Sequence, residues 1–118
     1  MSTALKANLF STEIANGNSG TAFTINWNAG RNQALTLTGN CTITFTAPVG
    51  GTHLQLKLTQ DGTGGRTVTW PTQGVAAGNI AWVGKTVITL STAAGAVDFI
   101  NGYYDGTVYW IQYGNNFG

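Results

Sequence analysis

The chain is 118 residues long and has little charge, one cysteine and two prolines. Charged side chains make up 8% of it, whereas about 25% is usual in a soluble domain. A formal net charge of +1 cannot supply the basic surface that duplex nucleic acid requires, so no nucleic-acid partner is expected. Because Cys41 stands alone, an internal disulfide is excluded and synthesis in a reducing compartment is indicated.

Long apolar runs are missing as well. No uninterrupted apolar stretch approaches the about 18 residues of a transmembrane helix, so no membrane partner is expected. Residues 1–8 have no basic segment followed by an apolar core, and they therefore do not predict a signal peptide. Apolar residues nevertheless make up 42% of the sequence, which is enough to pack one core in a domain of this length.

Threonine, asparagine and glycine are abundant, and they suit strands and tight turns better than helices. Apolar and polar residues alternate with a period of two in several segments, and Gly- or Asn-rich turns separate them. The predicted strands cover residues 23–27, 35–38, 41–46, 53–59, 66–70, 80–82, 87–90, 97–104 and 107–113. This pattern predicts an all-β fold, namely an antiparallel β-sandwich, jelly-roll-like, in a single domain.

Two regions are predicted within the chain. Residues 1–20 form an N-terminal arm or an edge strand, and residues 21–118 form the β-sandwich domain. The alternation of Leu5, Ala7 and Leu9 predicts one short strand in the arm, which either adds to the sheet of a neighbouring subunit or lies at the edge of its own. Near the other end of the chain, Asp105 and Gly106 predict a two-residue type I′ hairpin.

The residues that could perform catalysis are few and scattered. His53 opens a strand on its polar side, where a solvated residue is expected, and Cys41 is in phase with apolar neighbours, which predicts a buried thiol. A zinc ion usually takes three or four His, Cys or acidic ligands, and a nucleophile needs a base beside it. Neither arrangement is visible in the sequence, so we predict no enzyme activity, no catalytic or metal site and no cofactor.

The acidic residues are expected to have structural roles. Asp61 and Asp105 both precede glycine, where an aspartate accepts hydrogen bonds from the backbone of its own turn. Asp98 lies in an apolar run and is expected to be semi-buried, with Arg66 as its partner. The segment from Asp61 to Arg66 lacks the spacing of a phosphate-binding loop and is interpreted as a hairpin loop.

Aromatic side chains are the best candidates for a binding surface. Most tryptophans and tyrosines alternate with polar residues and are expected in the core. The final hairpin has aromatic residues on both faces, so some of them must lie outside the core, where a subunit interface would cover them. The predicted capsid or subunit interface residues are Leu5, Leu9, Phe10, Ile14, Tyr104 and Tyr109.

The run from Gln60 to Pro71, which reads QDGTGGRTVTWP, resembles a module that is widespread in structural proteins of tailed bacteriophages. Segments 90–98 and 104–110 resemble the same module, as do 23–27 and 33–40, so the likeness covers most of residues 23–113. Segment 82–88 departs from it, because it has no proline where the relatives have a Pro-Gly-Gly loop followed by proline. The resemblance implies a virion component without catalysis.

With this resemblance, the short arm and single sandwich favour a capsid decoration (cement) protein, which binds between capsomers and stabilises the mature head. The implied partner is the major capsid protein, and the implied location is the capsid surface of the virion, after synthesis in the bacterial host cytoplasm. The three-fold positions of an icosahedral lattice favour a homotrimer. The alternative is a tail-fibre or tail-appendage β module that contacts host glycan or protein through exposed Trp and Tyr, and a third interpretation is a free lectin-like module.

Overall fold

The computed structural model describes residues 12–117, and its regular structure is almost entirely β. The strands are β1 Ile14–Asn18, β2 Ala22–Asn26, β3 Asn32–Leu37, β4 Cys41–Thr46, β5 Thr52–Gln60, β6 Val68–Thr69, β7 Ile80–Trp82, β8 Val97–Tyr104 and β9 Tyr109–Phe117. One 3-10 turn, Val83–Lys85, follows β7. The all-β prediction is therefore confirmed. None of the described residues belongs to a helix with the length and apolar character needed to span a bilayer.

The first six strands alternate between two sheets. A six-stranded sheet has the order β1-β3-β5-β8-β9-β7, and a three-stranded sheet has the order β2-β4-β6. Every pairing among these six strands is parallel, and all of β2 is aligned in continuous register with β4. The chain thus winds as a short β-solenoid, in which each turn contributes one strand to each sheet.

This parallel winding corrects the strand directions of the antiparallel sandwich expected from the sequence. Alternation with a period of two shows which side chains face inward, but it is the same for parallel and antiparallel neighbours. The Gly- and Asn-rich connections cross from one sheet to the other instead of reversing within a sheet. Successive turns also differ in length, since Ile14 pairs with Gln33 whereas Asn32 pairs with Gln55, so no fixed repeat marks the solenoid.

Antiparallel pairing occurs where β8 meets β5 and β9, and β7 then extends the sheet by pairing parallel with β9. The hairpin predicted between the last two strands is confirmed, and the backbone amide of Asp105 donates to the carbonyl oxygen of Val108 across it. Its central residues are Gly106 and Thr107, of which only Gly106 has a positive φ, at 98°. The turn is therefore not the type I′ turn that the sequence predicts.

The core lies between the two sheets. In β5, Leu54, Leu56 and Leu58 are buried, while Gln55 between them faces outward. A fully buried leucine side chain gains about 2 kcal/mol of transfer free energy, so such rows hold the sheets together. Cys41 is buried, as predicted. The largest fully buried side chains are Tyr109, Ile25, Leu35, Leu37, Ile43, Leu56, Leu58, Ile80, Ile100 and Asp98.

Two predicted strands are shortened or absent. Within segment 66–70 only Val68–Thr69 pairs as a strand, and segment 87–90 forms no strand. Val87, Ile88 and Leu90 nevertheless pack against the core, which explains the apolar alternation that suggests a strand there. Apolar burial alone produces that pattern, with or without strand pairing.

Buried glutamines hold the corners where the chain passes between the two sheets. The side-chain amide of Gln60 donates to the carbonyl oxygens of Arg66 and Ser91 at 2.9 and 3.0 Å, and its Oε1 accepts from the backbone amide of Arg66 at 3.0 Å. Gln33 acts in the same way at the start of β3, where it donates to the carbonyl oxygen of Asn26 at 2.8 Å. These bonds satisfy backbone groups that no strand partner reaches.

The segment from Asp61 to Arg66, expected to be a hairpin loop, is one of these corners, because β5 and β6 on either side lie in different sheets. Asp61 accepts hydrogen bonds from the backbone amides of Thr63 and Gly64, as predicted for a turn aspartate. Arg66 pairs with Asp61, at 2.9 Å between Nη2 and Oδ2, and the expected pair with Asp98 is wrong.

The carboxylate of Asp98 is buried and accepts hydrogen bonds from neutral donors. Ser91 donates from its backbone amide and from Oγ, both at 2.7 Å, and the backbone amide of Asn116 donates at 2.8 Å. Three charge-assisted hydrogen bonds stabilise this carboxylate in place of Arg66, the cationic partner expected from the sequence. They also tie the end of β9 to the loop that precedes β8.

The N-terminal strand β1 lies at the edge of the six-stranded sheet of its own chain, beside β3. The side chain of Ile14 packs against Gly30, where a Cβ would stand 2.6 Å from Cδ1 of Ile14. Residues 1–11 of the predicted arm lie outside the described residues. The proposed addition of the arm to a neighbouring subunit stays a prediction.

Candidate functional site

The outward face of the six-stranded sheet presents a row of aromatic side chains. His53 of β5, Tyr103 of β8 and Trp110 of β9 are cross-strand partners, so their side chains lie side by side on this face. All three are exposed, and Tyr103 and Trp110 keep 42% and 46% of their accessible surface. We call these three residues the aromatic row.

Contacts on several sides fix the orientation of the aromatic row. Trp110 Nε1 donates to Asp105 Oδ2 at 2.9 Å, and the rings of His53 and Tyr103 contact one another with centroids 5.1 Å apart. The backbone of Gly51 lies against the hydroxyl of Tyr103, which is 2.8 Å from where a Cβ would stand. Because the rings are already held, binding to them costs little side-chain entropy.

Gly102 allows the strands that hold this row to approach closely. A Cβ at this position would collide with the carbonyl oxygen of Trp110 on the paired strand. Glycine is therefore required here for the close pairing of β8 with β9, and any other residue would displace the backbone beneath Tyr103 and Trp110.

Two loop segments make a wall that turns this face into a groove of about 710 Å³. Segments 73–75 and 83–85 form the wall, and Gln73 Nε2 donates to the carbonyl oxygen of Lys85 at 2.8 Å, which ties them together. Val75 and Val83 are 70% and 50% exposed there. The groove therefore combines aromatic and aliphatic surface at a fixed position on the sheet.

A second row, made of carboxamide side chains, runs beside the aromatic row. Gln55, Asn101 and Gln112 are cross-strand partners on β5, β8 and β9, and we call them the amide row. None of the side-chain hydrogen bonds found within residues 12–117 involves these three amides. Their donors and acceptors are available to a ligand.

The groove has almost no charge. Among the described residues that line it there is no carboxylate, and Lys85 is the one permanently charged side chain. Asp105 lies beside it, where the hydrogen bond from Trp110, followed by those from the backbone amides of Val108 and Thr107, lowers its pKa. Asp105 is therefore ionised near neutral pH, and its charge strengthens the hydrogen bond that it accepts from the indole.

The predicted interface residues that the structure describes lie away from this groove. Tyr104 and Tyr109 are buried in the core, where their ring centroids are 4.4 Å apart, and the surface of the chain does not present them. Ile14 is half-buried at the sheet edge. The other predicted interface residues lie outside the described part of the chain, and they are Leu5, Leu9 and Phe10.

Sequence reasoning missed Tyr103 and Trp110 as the exposed members of their hairpin. Tyr103 precedes the buried Tyr104, and Trp110 follows the buried Tyr109. Alternation requires one residue of each pair to face outward, but it does not identify which one. The signal that resolves this is the register of β5 with β8, in which His53, assigned to the polar side from the sequence, lies opposite Tyr103. That register could not be obtained from a single sequence.

The described residues form a surface suited to binding. Within residues 12–117, no three His, Cys, Asp or Glu side chains lie close enough to share a metal ion. Cys41 is in the core, where burial raises the pKa of its thiol. The absence of enzyme activity and of a cofactor stays a prediction.

A family model described as "Putative phage tail fibre C-terminal domain" matches residues 19–109. The matched segment runs from the turn after β1 to the first residue of β9, and so includes β2 to β8, whereas Trp110 and Gln112 lie just beyond it. Searches of curated proteins and of solved structures gave no significant match.

Proposed function

The chain belongs to the phage tail fibre C-terminal domain family, and from this membership we propose that it is the part of a tail fibre that contacts the surface of the host bacterium. As a member of this family it is a phage structural protein and a virion component. The proposed contact surface is the groove beside the aromatic row.

The family match favours a different function from the first interpretation of the sequence. A capsid decoration protein bound to the major capsid protein is the first expectation, and the match to a tail-fibre domain supports the alternative instead. The expectation rests on a short chain with an arm and one β domain. Those features do not distinguish a decoration protein from a fibre domain, because both are built from small β modules.

The observation that supports host contact is the exposed aromatic surface. Tyr103 and Trp110 stand on β8 and β9, each of which is paired on both sides, and Val75 and Val83 extend the apolar surface along the groove wall. Contiguous exposed apolar surface of this kind marks interaction sites, and Trp and Tyr are the residues that most often dominate binding energy.

Binding of the labelled full chain to host cells tests this function. We expect saturable binding, slower adsorption of the phage when the free chain is in excess, and at least about tenfold weaker binding by Trp110→Ala. Val49→Ala is the matched control, because Val49 is 89% exposed and lies outside the groove. No binding to cells, or equal binding by wild type and Trp110→Ala, would contradict the proposal.

The contact is proposed to be non-catalytic, with the host surface left chemically unchanged. The homotrimer expected from the sequence stays a prediction, which the molar mass of the purified chain in solution tests by light scattering. A monomer at micromolar concentration would contradict the homotrimer and would leave the proposed contact surface unaffected.

A further inference from the structure

We propose that the groove binds an uncharged oligosaccharide, with sugar rings stacked on Trp110 and Tyr103 and sugar hydroxyl groups bonded to the amide row. This inference rests on the proposed function, since host contact places a bacterial surface against the groove. It goes further by naming the chemical class of the ligand and the residues that distinguish it.

The aromatic row offers the surface that a sugar ring needs. One face of a pyranose ring presents C–H groups, which pack against the face of an aromatic side chain. Trp110 is held by Asp105, and Tyr103 is held between His53 and Gly51, so both rings are in place before a ligand arrives. Such preorganisation favours binding of a ligand whose individual contacts are weak.

The amide row offers the hydrogen bonds that sugar hydroxyl groups need. Each carboxamide has two N–H donors and a carbonyl acceptor, and each hydroxyl group both donates and accepts. Gln55, Asn101 and Gln112 stand on three adjacent strands, so the row extends about 10 Å at the usual strand spacing. That length exceeds one sugar ring, which favours an oligosaccharide over a monosaccharide.

The charge of the groove favours an uncharged ligand. No carboxylate lines it within the described part of the chain, and the Asp105 carboxylate beside it already accepts hydrogen bonds from Trp110, Thr107 and Val108. Lys85 lines the groove, and Arg31 lines the neighbouring cavity that contains the amide row. Two cations in separate cavities do not form the cluster with which proteins recognise polyanions. Stacking and neutral hydrogen bonds then supply the affinity, and binding should depend little on salt.

Two probes test this inference, namely polysaccharide extracted from host cells and an immobilised panel of neutral and acidic oligosaccharides. We expect the full chain to bind the polysaccharide and at least one neutral oligosaccharide, with a change in tryptophan fluorescence and equal affinity at low and high salt. Trp110→Ala and Gln112→Ala should each weaken binding, the first by at least about tenfold, and Val49→Ala should not. Both changed side chains are exposed, and circular dichroism verifies that each variant folds.

The outcomes distinguish this inference from the proposed function. Cell binding that survives periodate oxidation of surface sugars but is lost after protease treatment would overturn the oligosaccharide and leave host contact in place. Binding to acidic oligosaccharides alone, with loss at high salt, would overturn the uncharged class. Binding to the neutral panel without any binding to host cells would overturn host contact and leave the chemistry of the groove in place.

Discussion

At the residue scale, a few buried polar atoms oppose folding. The hydroxyl of Tyr109 and the indole Nε1 atoms of Trp27 and Trp82 are buried and have no hydrogen-bond partner among the described residues. Leaving such a group unsatisfied costs about 1–3 kcal/mol. Tyr109 nevertheless packs against Tyr104 and Phe45 in the core, so the ring contributes stability that its hydroxyl partly offsets.

Removing that hydroxyl should not destabilise the protein. Tyr109→Phe keeps the ring and removes the unpaired oxygen, so we expect the free energy of unfolding to stay equal or to rise by about 1 kcal/mol. Urea denaturation measures this, with Tyr103→Phe at the exposed site as control. A decrease of about 1 kcal/mol or more for Tyr109→Phe would show that the hydroxyl has a partner in solution.

Tyr109 should also make the free energy of unfolding depend on pH in the alkaline range. Burial, with a smaller effect of Tyr104, raises the pKa of Tyr109 to about 12. In an unfolded chain the pKa of a tyrosine phenol is about 10. As the pH rises from about 10 to 12, Tyr109 therefore loses its proton in the unfolded state first. The free energy of unfolding then falls, by roughly 2–3 kcal/mol in total. Tyr109→Phe should lack this part of the decrease, and an identical decrease in both proteins would refute the assignment.

Gly102 is the residue on which close pairing beneath the aromatic row depends. Gly102→Ala forces a Cβ against the carbonyl oxygen of Trp110, so we expect a loss of about 1–3 kcal/mol in the free energy of unfolding. Gly50→Ala is the control, since a Cβ there meets open space. Thermal unfolding of both variants checks this, and equal stability would mean that the strands separate at no cost.

At the scale of the elements, the strands could largely be predicted from the sequence and their pairing could not. Alternating residues in β2, β4 and β5 locate the strands and their inward faces. The direction of pairing depends on whether a connection crosses to the other sheet or reverses in its own, and Gly-rich connections suit both. The segment after Gln60 shows this, because a turn-rich sequence that suggests a hairpin loop forms a corner between sheets.

The hydrogen bonds of Gln60 at this corner should contribute substantially to the free energy of unfolding. Gln60→Leu removes three hydrogen bonds and leaves backbone groups of Arg66 and Ser91 unpaired at a buried site, so we expect a loss of about 2–4 kcal/mol. Gln55→Leu, at an outward position of the same strand, should change stability by no more than about 0.5 kcal/mol. Chemical denaturation compares the two, and similar losses would contradict the structural role of Gln60.

At the scale of the whole molecule, the solenoid supports a sheet whose outward face, among the described residues, exposes the aromatic row. The candidate site was only partly predictable, because aromatic surface on the last hairpin follows from its sequence whereas the choice of Tyr103 and Trp110 depends on long-range register. The amide row was not predictable at all. Its members lie far apart in the chain and become neighbours only when β5, β8 and β9 pair.

The number of copies of this chain in the purified virion, measured by quantitative mass spectrometry against the major capsid protein, tests the central claim most directly. A tail-fibre domain predicts a few copies per particle, a small fraction of the number of capsid subunits. A ratio comparable to that of the major capsid protein would contradict the tail-fibre assignment and would restore the decoration role on the shell.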